Sequence, residues 1–100
     1  MTTQITNDGL KYKVVLSGRI DASTAEEFQN ALAPLMQVSG AEIDVDCAEL
    51  AYTSSQGLRT FLSLQKSVSA NGGTLVLHKM NPQVKEVFDI TGFSSIIKIL

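Results

Sequence analysis

The sequence predicts an α/β domain of two layers, a mostly parallel sheet entered through an N-terminal antiparallel hairpin, with its helices mainly on one face. Three observations carry this expectation. Three segments alternate apolar and polar residues, as strands with one wet face do. Amphipathic helical stretches with their own start and stop signals lie between them. The resulting order, β-β-α-β-α-β-α-β, places every helix on the same side if the strands are laid down progressively through right-handed crossovers. At 100 residues, 44% hydrophobic and 18% charged, the chain reads as one domain over residues 1–100 with a single core.

The hairpin comes first. Gln4 to Thr6 and Lys11 to Ser17 flank Asn7-Asp8-Gly9, a turn signal because Asp and Gly tolerate positive φ. In the second strand Tyr12, Val14 and Leu16 fall opposite Lys11, Lys13 and Ser17. After Gly18, Ser23 and Glu26 have capping-box spacing, so a helix is expected from Ser23 or Thr24 with Phe28, Leu32 and Leu35 on its inner face. Pro34 lacks an amide donor and should bend or end that helix, and Gly40 marks the way out.

Ala41 to Asp46 is expected as a strand with Ile43 and Val45 inward. Glu42, Asp44 and Asp46 then form a solvated acidic row that can pair with Lys11 and Lys13 on the neighbouring strand. The second helix is expected from about Ser55 to Ser69, with Leu58, Phe61 and Leu62 at i, i+3 and i+4 and Asn71-Gly72-Gly73 as its stop. Thr74 to Lys79 alternates again, Leu75 and Leu77 opposite Thr74 and His78. Asn81-Pro82 opens a third helix bearing Val84, Val87 and Phe88 and closed by Gly92, and Ile96 to Leu100 is a last short strand. Tyr52, Phe61, Phe88 and Phe93 are assigned to the core or its border, and Cys47 to a buried apolar role.

Composition removes several classes of function. A net charge of -2 with scattered Lys and Arg offers no basic patch for nucleic acid. The single cysteine excludes an intrachain disulfide, and no Cys/His cluster has metal-ligand spacing, so no cofactor is expected. No apolar run approaches the roughly 18 residues of a membrane span, so no membrane insertion and a cytoplasmic location are expected.

The stretch Leu50 to Leu62 carries what chemistry there is. Ser54 and Ser55 stand where a strand passes into a helix, and the first amides of that helix have no intrahelical partners. Hydroxyls there can cap those amides, and a phosphate on one of them meets a favourable dipole. The same segment half matches a hydrolase nucleophile elbow, but Thr53 replaces its first glycine. The only histidine, His78, falls on the polar face away from the helices, so no enzyme is expected. Asp21 ends the second strand and lies on the same carboxyl edge of the sheet as the two serines, where ligands and partners are usually met. It is equally suited to capping the first helix.

Gly18-Arg19-Ile20-Asp21-Ala22-Ser23-Thr24-Ala25, Tyr52-Thr53-Ser54-Ser55-Gln56-Gly57-Leu58-Arg59 and the tail from Asn81 through Phe93 resemble the STAS domains of bacterial anti-sigma factor antagonists, over nearly the whole chain. The middle segment is the most specific, since it is similar to the family's Asp/Ser-Ser-x-Gly-Leu switch motif. The resemblance implies a protein that binds an anti-sigma factor with serine kinase activity when unmodified and is released by phosphorylation, a PP2C-type phosphatase resetting it. Carried over by position, it makes Ser55 the acceptor with Ser54 as a second candidate. It makes Asp21 the aspartate close to that serine, and Asp21, Ser54, Ser55, Gln56, Gly57 and Arg59 the partner surface. Ser54 stands where many members have Asp, and Gln56 replaces a small residue. The chain also resembles small cytoplasmic subunits of lipid-moving ABC transporters, where the domain is a structural partner without a phosphate switch.

Overall fold

The computed structural model describes residues 1–100. Its elements are β1 (Thr2–Asp8), β2 (Lys11–Ile20), α1 (Ala25–Leu32) running into a 3₁₀ turn (Ala33–Gln37), β3 (Glu42–Thr53), α2 (Ser55–Ala70), β4 (Thr74–His78), α3 (Pro82–Ile90), a second 3₁₀ turn (Phe93–Ser95) and β5 (Lys98–Ile99). The five strands lie in sequence order in one sheet. Only β1 and β2 are antiparallel, and the remaining pairs are parallel. This is the predicted two-layer α/β architecture with its antiparallel hairpin.

The core forms where the alternation points. Val14, Leu16 and Ile20 of β2, Ile43 and Val45 of β3, and Leu75 and Leu77 of β4 are all buried. Each helix contributes one phenylalanine to a chain of ring contacts, Phe28 to Phe61 at 5.1 Å and Phe61 to Phe88 at 5.4 Å between centroids. Such tilted and edge-on contacts add to the area that the rings remove from water. Because α1, α2 and α3 share this row, all three cover the same face of the sheet. No helix is long and apolar enough to cross a membrane.

Local signals act largely where expected. α1 gives way to the 3₁₀ turn one residue before Pro34, and α2 is stopped by Gly72 at φ +76. Asn81 caps α3, its Oδ1 accepting the Val84 amide at 2.8 Å, and Pro82 occupies the first helical position. In the hairpin the strand continues through Asn7 and Asp8, and the two-residue connection is Gly9-Leu10, with only Gly9 at positive φ. A glycine at the first central position suits the twist of the flanking strands.

Four expectations are corrected. The Ser23/Glu26 capping box does not form: α1 starts at Ala25, the Ser23 hydroxyl donates to Asp21 Oδ1 at 2.7 Å, and Thr24 Oγ1 donates to the Arg19 carbonyl at 2.7 Å. The nearer carboxylate captures the hydroxyl that the helix would have used. The strand expected over Ala41 to Asp46 runs to Thr53, because β3 carries an extra residue between Asp46 and Glu49 and another between Leu50 and Tyr52 relative to β2. Those bulges put Cys47, Leu50 and Thr53 inward at a spacing of three, which breaks the alternation. Tyr52 is on the open face, 40% exposed, rather than in the core; the alternation of Ile43 and Val45 also turns it that way, because the two bulges cancel in parity. Finally, Asp44 pairs with His78 of β4 at 2.8 Å, and no ion pair joins the acidic row to Lys11 or Lys13 although register sets Lys13 beside Asp44.

Candidate functional site

β2 and β3 end side by side at the carboxyl edge of the sheet. Ile20 is the register partner of Thr53, and the Ser54 amide donates to the Ile20 carbonyl at 2.7 Å. The next residues out, Asp21 and Ser54, are thereby brought together, as the sheet order requires. Ser54 has extended backbone and is the N-cap of α2, its Oγ accepting the Gly57 amide at 3.3 Å. Ser55 follows as the first helical residue. It is exposed, and no hydrogen bond within the chain engages its hydroxyl. The two serines are thus chemically distinct: one hydroxyl is used in a cap and the other faces solvent.

Asp21 is held in its own tight turn. Its Oδ1 accepts the Ser23 hydroxyl and the Ser23 amide at 3.0 Å, and its carbonyl accepts the amides of Thr24 and Ala25. The Ser23 hydroxyl, the Ser23 amide, then the Thr24 hydroxyl and last the Arg19 charge hold the carboxyl below the usual carboxylate range. The side chain does not cap α1, and it holds a negative charge at the same carboxyl edge on which the two serines lie.

Gln56 and Arg59 are exposed on α2 and line the groove between α1 and α2 together with Ala22, Ala25, Glu26 and Gln29. Gly57 differs from the other expected partner-facing residues, because it is buried. A β-carbon there would collide with the Thr53 hydroxyl and lie 2.7 Å from Ile20 Cγ2, so this glycine seats the first turn of α2 on the ends of β2 and β3. His78 is engaged by Asp44 on the open face, and no base is hydrogen-bonded to Ser55.

One pair at this edge was not expected from the sequence. Arg19 and Tyr52 are register partners on the open face, with the guanidinium carbon 4.5 Å from the Tyr52 ring centroid and Nε 4.0 Å from Asp21 Oδ2. A cation over an aromatic face is attracted by the ring quadrupole. Alternation from Ile20 places Arg19 on this face, and the two bulges of β3 advance the register so that Tyr52 is the residue set beside it.

Residues 3–99 match the family profile described as "Mlab, STAS domain". The chain is 33% identical over 87 residues to the anti-sigma-B factor antagonist of Bacillus subtilis, covering 87% of this chain and 79% of that protein. In fold it is similar to the anti-sigma factor antagonist SpoIIAA in its unphosphorylated form, with a TM-score of 0.82 and 19% identity over 99% of this chain and 88% of the other. It is also similar to the Bacillus cell fate determinant SpoIIAA in the phosphorylated form, with a TM-score of 0.74 and 17% identity over 99% and 91% of the two chains. With the five-stranded sheet, the three helices on one face and the Ser-Ser junction at the start of α2 in place, the chain belongs to the STAS domain family of the bacterial anti-sigma factor antagonists.

Proposed function

We propose that this domain is an anti-sigma factor antagonist that binds an anti-sigma factor with serine kinase activity while unmodified and is released when Ser55 is phosphorylated, with a PP2C-type phosphatase restoring the binding form in the cytoplasm. The kinase's ATP supplies the phosphoryl group: a bond forms from Ser55 Oγ to phosphorus as the bond to ADP breaks, and the hydroxyl proton leaves. The single observation that carries the choice of residue is the division of labour between the serines. The Ser54 hydroxyl caps the Gly57 amide, whereas Ser55 is exposed with its hydroxyl free. Relatives named as anti-sigma-B factor antagonists and a related fold solved in a phosphorylated form support the same reading. The domain acts by binding and performs no catalysis itself.

In this reading the partner surface is the carboxyl edge with Asp21, Ser54 and Ser55, continued along Gln56 and Arg59, and Gly57 serves it from beneath. Phosphorylation adds about -1.5 to -2 charges at the centre of that surface. Desolvating that charge in an interface costs several kcal/mol, enough to end binding. The test is the affinity of the wild-type, Ser55→Ala and Ser55→Asp domains for the kinase-like anti-sigma factor, with mass spectrometry locating any phosphate that the kinase adds. Ser55→Ala should bind and accept no phosphate, and Ser55→Asp should bind weakly. Equal affinities of all three would overturn the switch.

A second reading, an unphosphorylated structural subunit of a lipid-moving ABC transporter, is favoured by Gln56, whose long side chain stands beside Ser55 where the antagonist motif has a small residue. Co-purification with a transport ATPase, together with no phosphate on Ser54 or Ser55, would select it.

A further inference from the structure

Ser55 and Arg59 stand four residues apart in α2, and both are exposed. Residues at this spacing are neighbours on a helix surface, with β-carbons about 5–6 Å apart. Helical side chains lean toward the N-terminus of their helix, so the stem of Arg59 covers the turn that Ser55 begins. The guanidinium is uncommitted: the ion pairs of the molecule use Arg19, His78 and Lys85 as their cations, and Arg59 takes part in none. It is also the only cation in the first half of α2, the next being Lys66. The other charged groups around this end are Glu26 of α1, which lines the same groove, and Arg19 and Asp21 at the end of β2, which lie close to one another.

We propose that a phosphate on Ser55 is captured by the Arg59 guanidinium of its own helix, forming an intrahelical clamp. The inference rests on the reading of Ser55 as the phosphorylated residue and adds what receives the phosphate. Phosphoserine offers three acceptor oxygens, and the planar fork of an arginine matches two of them at once. The unmodified serine gives Arg59 no charge to hold, which leaves the cation free for a partner. Modification then removes two groups from the binding surface together, the hydroxyl and the guanidinium, while α2 keeps its first turn.

The test installs phosphoserine at position 55 during translation, so that no kinase is required, in the wild-type, Arg59→Gln and Arg59→Lys chains. Phosphorus NMR then follows the titration of the phosphate near neutral pH. The clamp holds the dianion, so the second pKa of the phosphate should lie lower in the wild type than in Arg59→Gln by about 0.3 unit or more, the equivalent of an exposed i,i+4 ion pair. Arg59→Lys should fall between them, because it keeps the charge and loses the fork. The difference should shrink in about 1 M salt, where exposed charges are screened. Equal titration of the wild-type and Arg59→Gln phosphoproteins overturns the clamp. The unmodified Arg59→Gln chain should melt with the wild type, which separates loss of the clamp from loss of the fold. Because the phosphate is encoded, a negative result counts against the clamp alone, and absence of phosphate after kinase treatment counts against the acceptor reading alone.

Discussion

The α-carbon of Gly57 rests against the side chain of Ile20, so close that a β-carbon on it would lie 2.7 Å from Ile20 Cγ2. That contact lets the first turn of a helix sit directly on the ends of two strands, and it keeps the exposed Ser55 at the rim rather than lifted off the sheet. Replacing Gly57 by Ala should lower stability by about 1–3 kcal/mol, as overpacking does, although Ala is the better helix former by about 1 kcal/mol. Urea unfolding measures it. A neutral or stabilising result would mean that α2 can rise from the strand ends without cost.

The two serines should separate in stability as they do in structure. Ser54→Ala removes the cap on the Gly57 amide and should cost about 0.5–2 kcal/mol. Ser55→Ala touches no hydrogen bond and should stay within roughly 0.5 kcal/mol. The opposite order in denaturant titrations would show that the cap is misassigned.

The two faces of β3 make a third comparison. Ile43 is 1% exposed in the centre of the core, and Ile43→Ala should cost about 2–5 kcal/mol. Asp44 faces water and pairs with a partly exposed His78, so Asp44→Ala should cost no more than about 1 kcal/mol. Reversed sensitivities in thermal or urea unfolding would contradict the strand register.

Burial, followed by the neighbouring Asp46 charge, pushes the Cys47 thiol from 9.0 up to about 12. A folded pKa above the unfolded one stabilises the native state fully below pH 9, and that contribution is lost as pH rises toward 12, because the unfolded thiol ionises first. Cys47→Ala should therefore flatten the fall in stability between these limits. In the native protein near pH 8 the thiol should react with a disulfide reagent far more slowly than in denaturant, since the thiolate is the nucleophile. Rapid native labelling would show that the site opens.

Most of the secondary structure was legible because it rests on local chemistry. The alternation of Lys11 to Ser17, the Asn81-Pro82 start of α3 and the Asn71-Gly72-Gly73 stop of α2 each act within a few residues, and the structure follows all three. The second half of β3 was not legible, since its two bulges exist only relative to β2 and shift the inward positions to Cys47, Leu50 and Thr53. Tyr52, expected in the core or at its border, lies on the open face beneath Arg19, a pairing set by the register that those bulges advance.

By itself, then, the sequence determined the order and type of the elements, the inward rows of three strands and the placement of Ser54 and Ser55 at a strand-to-helix junction. Periodicity and capping are properties of neighbouring residues, and they need no knowledge of the rest of the chain. Only the tertiary structure decided which hydroxyl is spent and which is free, why Gly57 must lack a side chain, and that Asp44 meets His78 rather than a lysine of β2. Gly57 is crowded by Ile20, and Asp44 and His78 are 34 residues apart; contacts of that kind come from the register of whole strands, which no local pattern encodes.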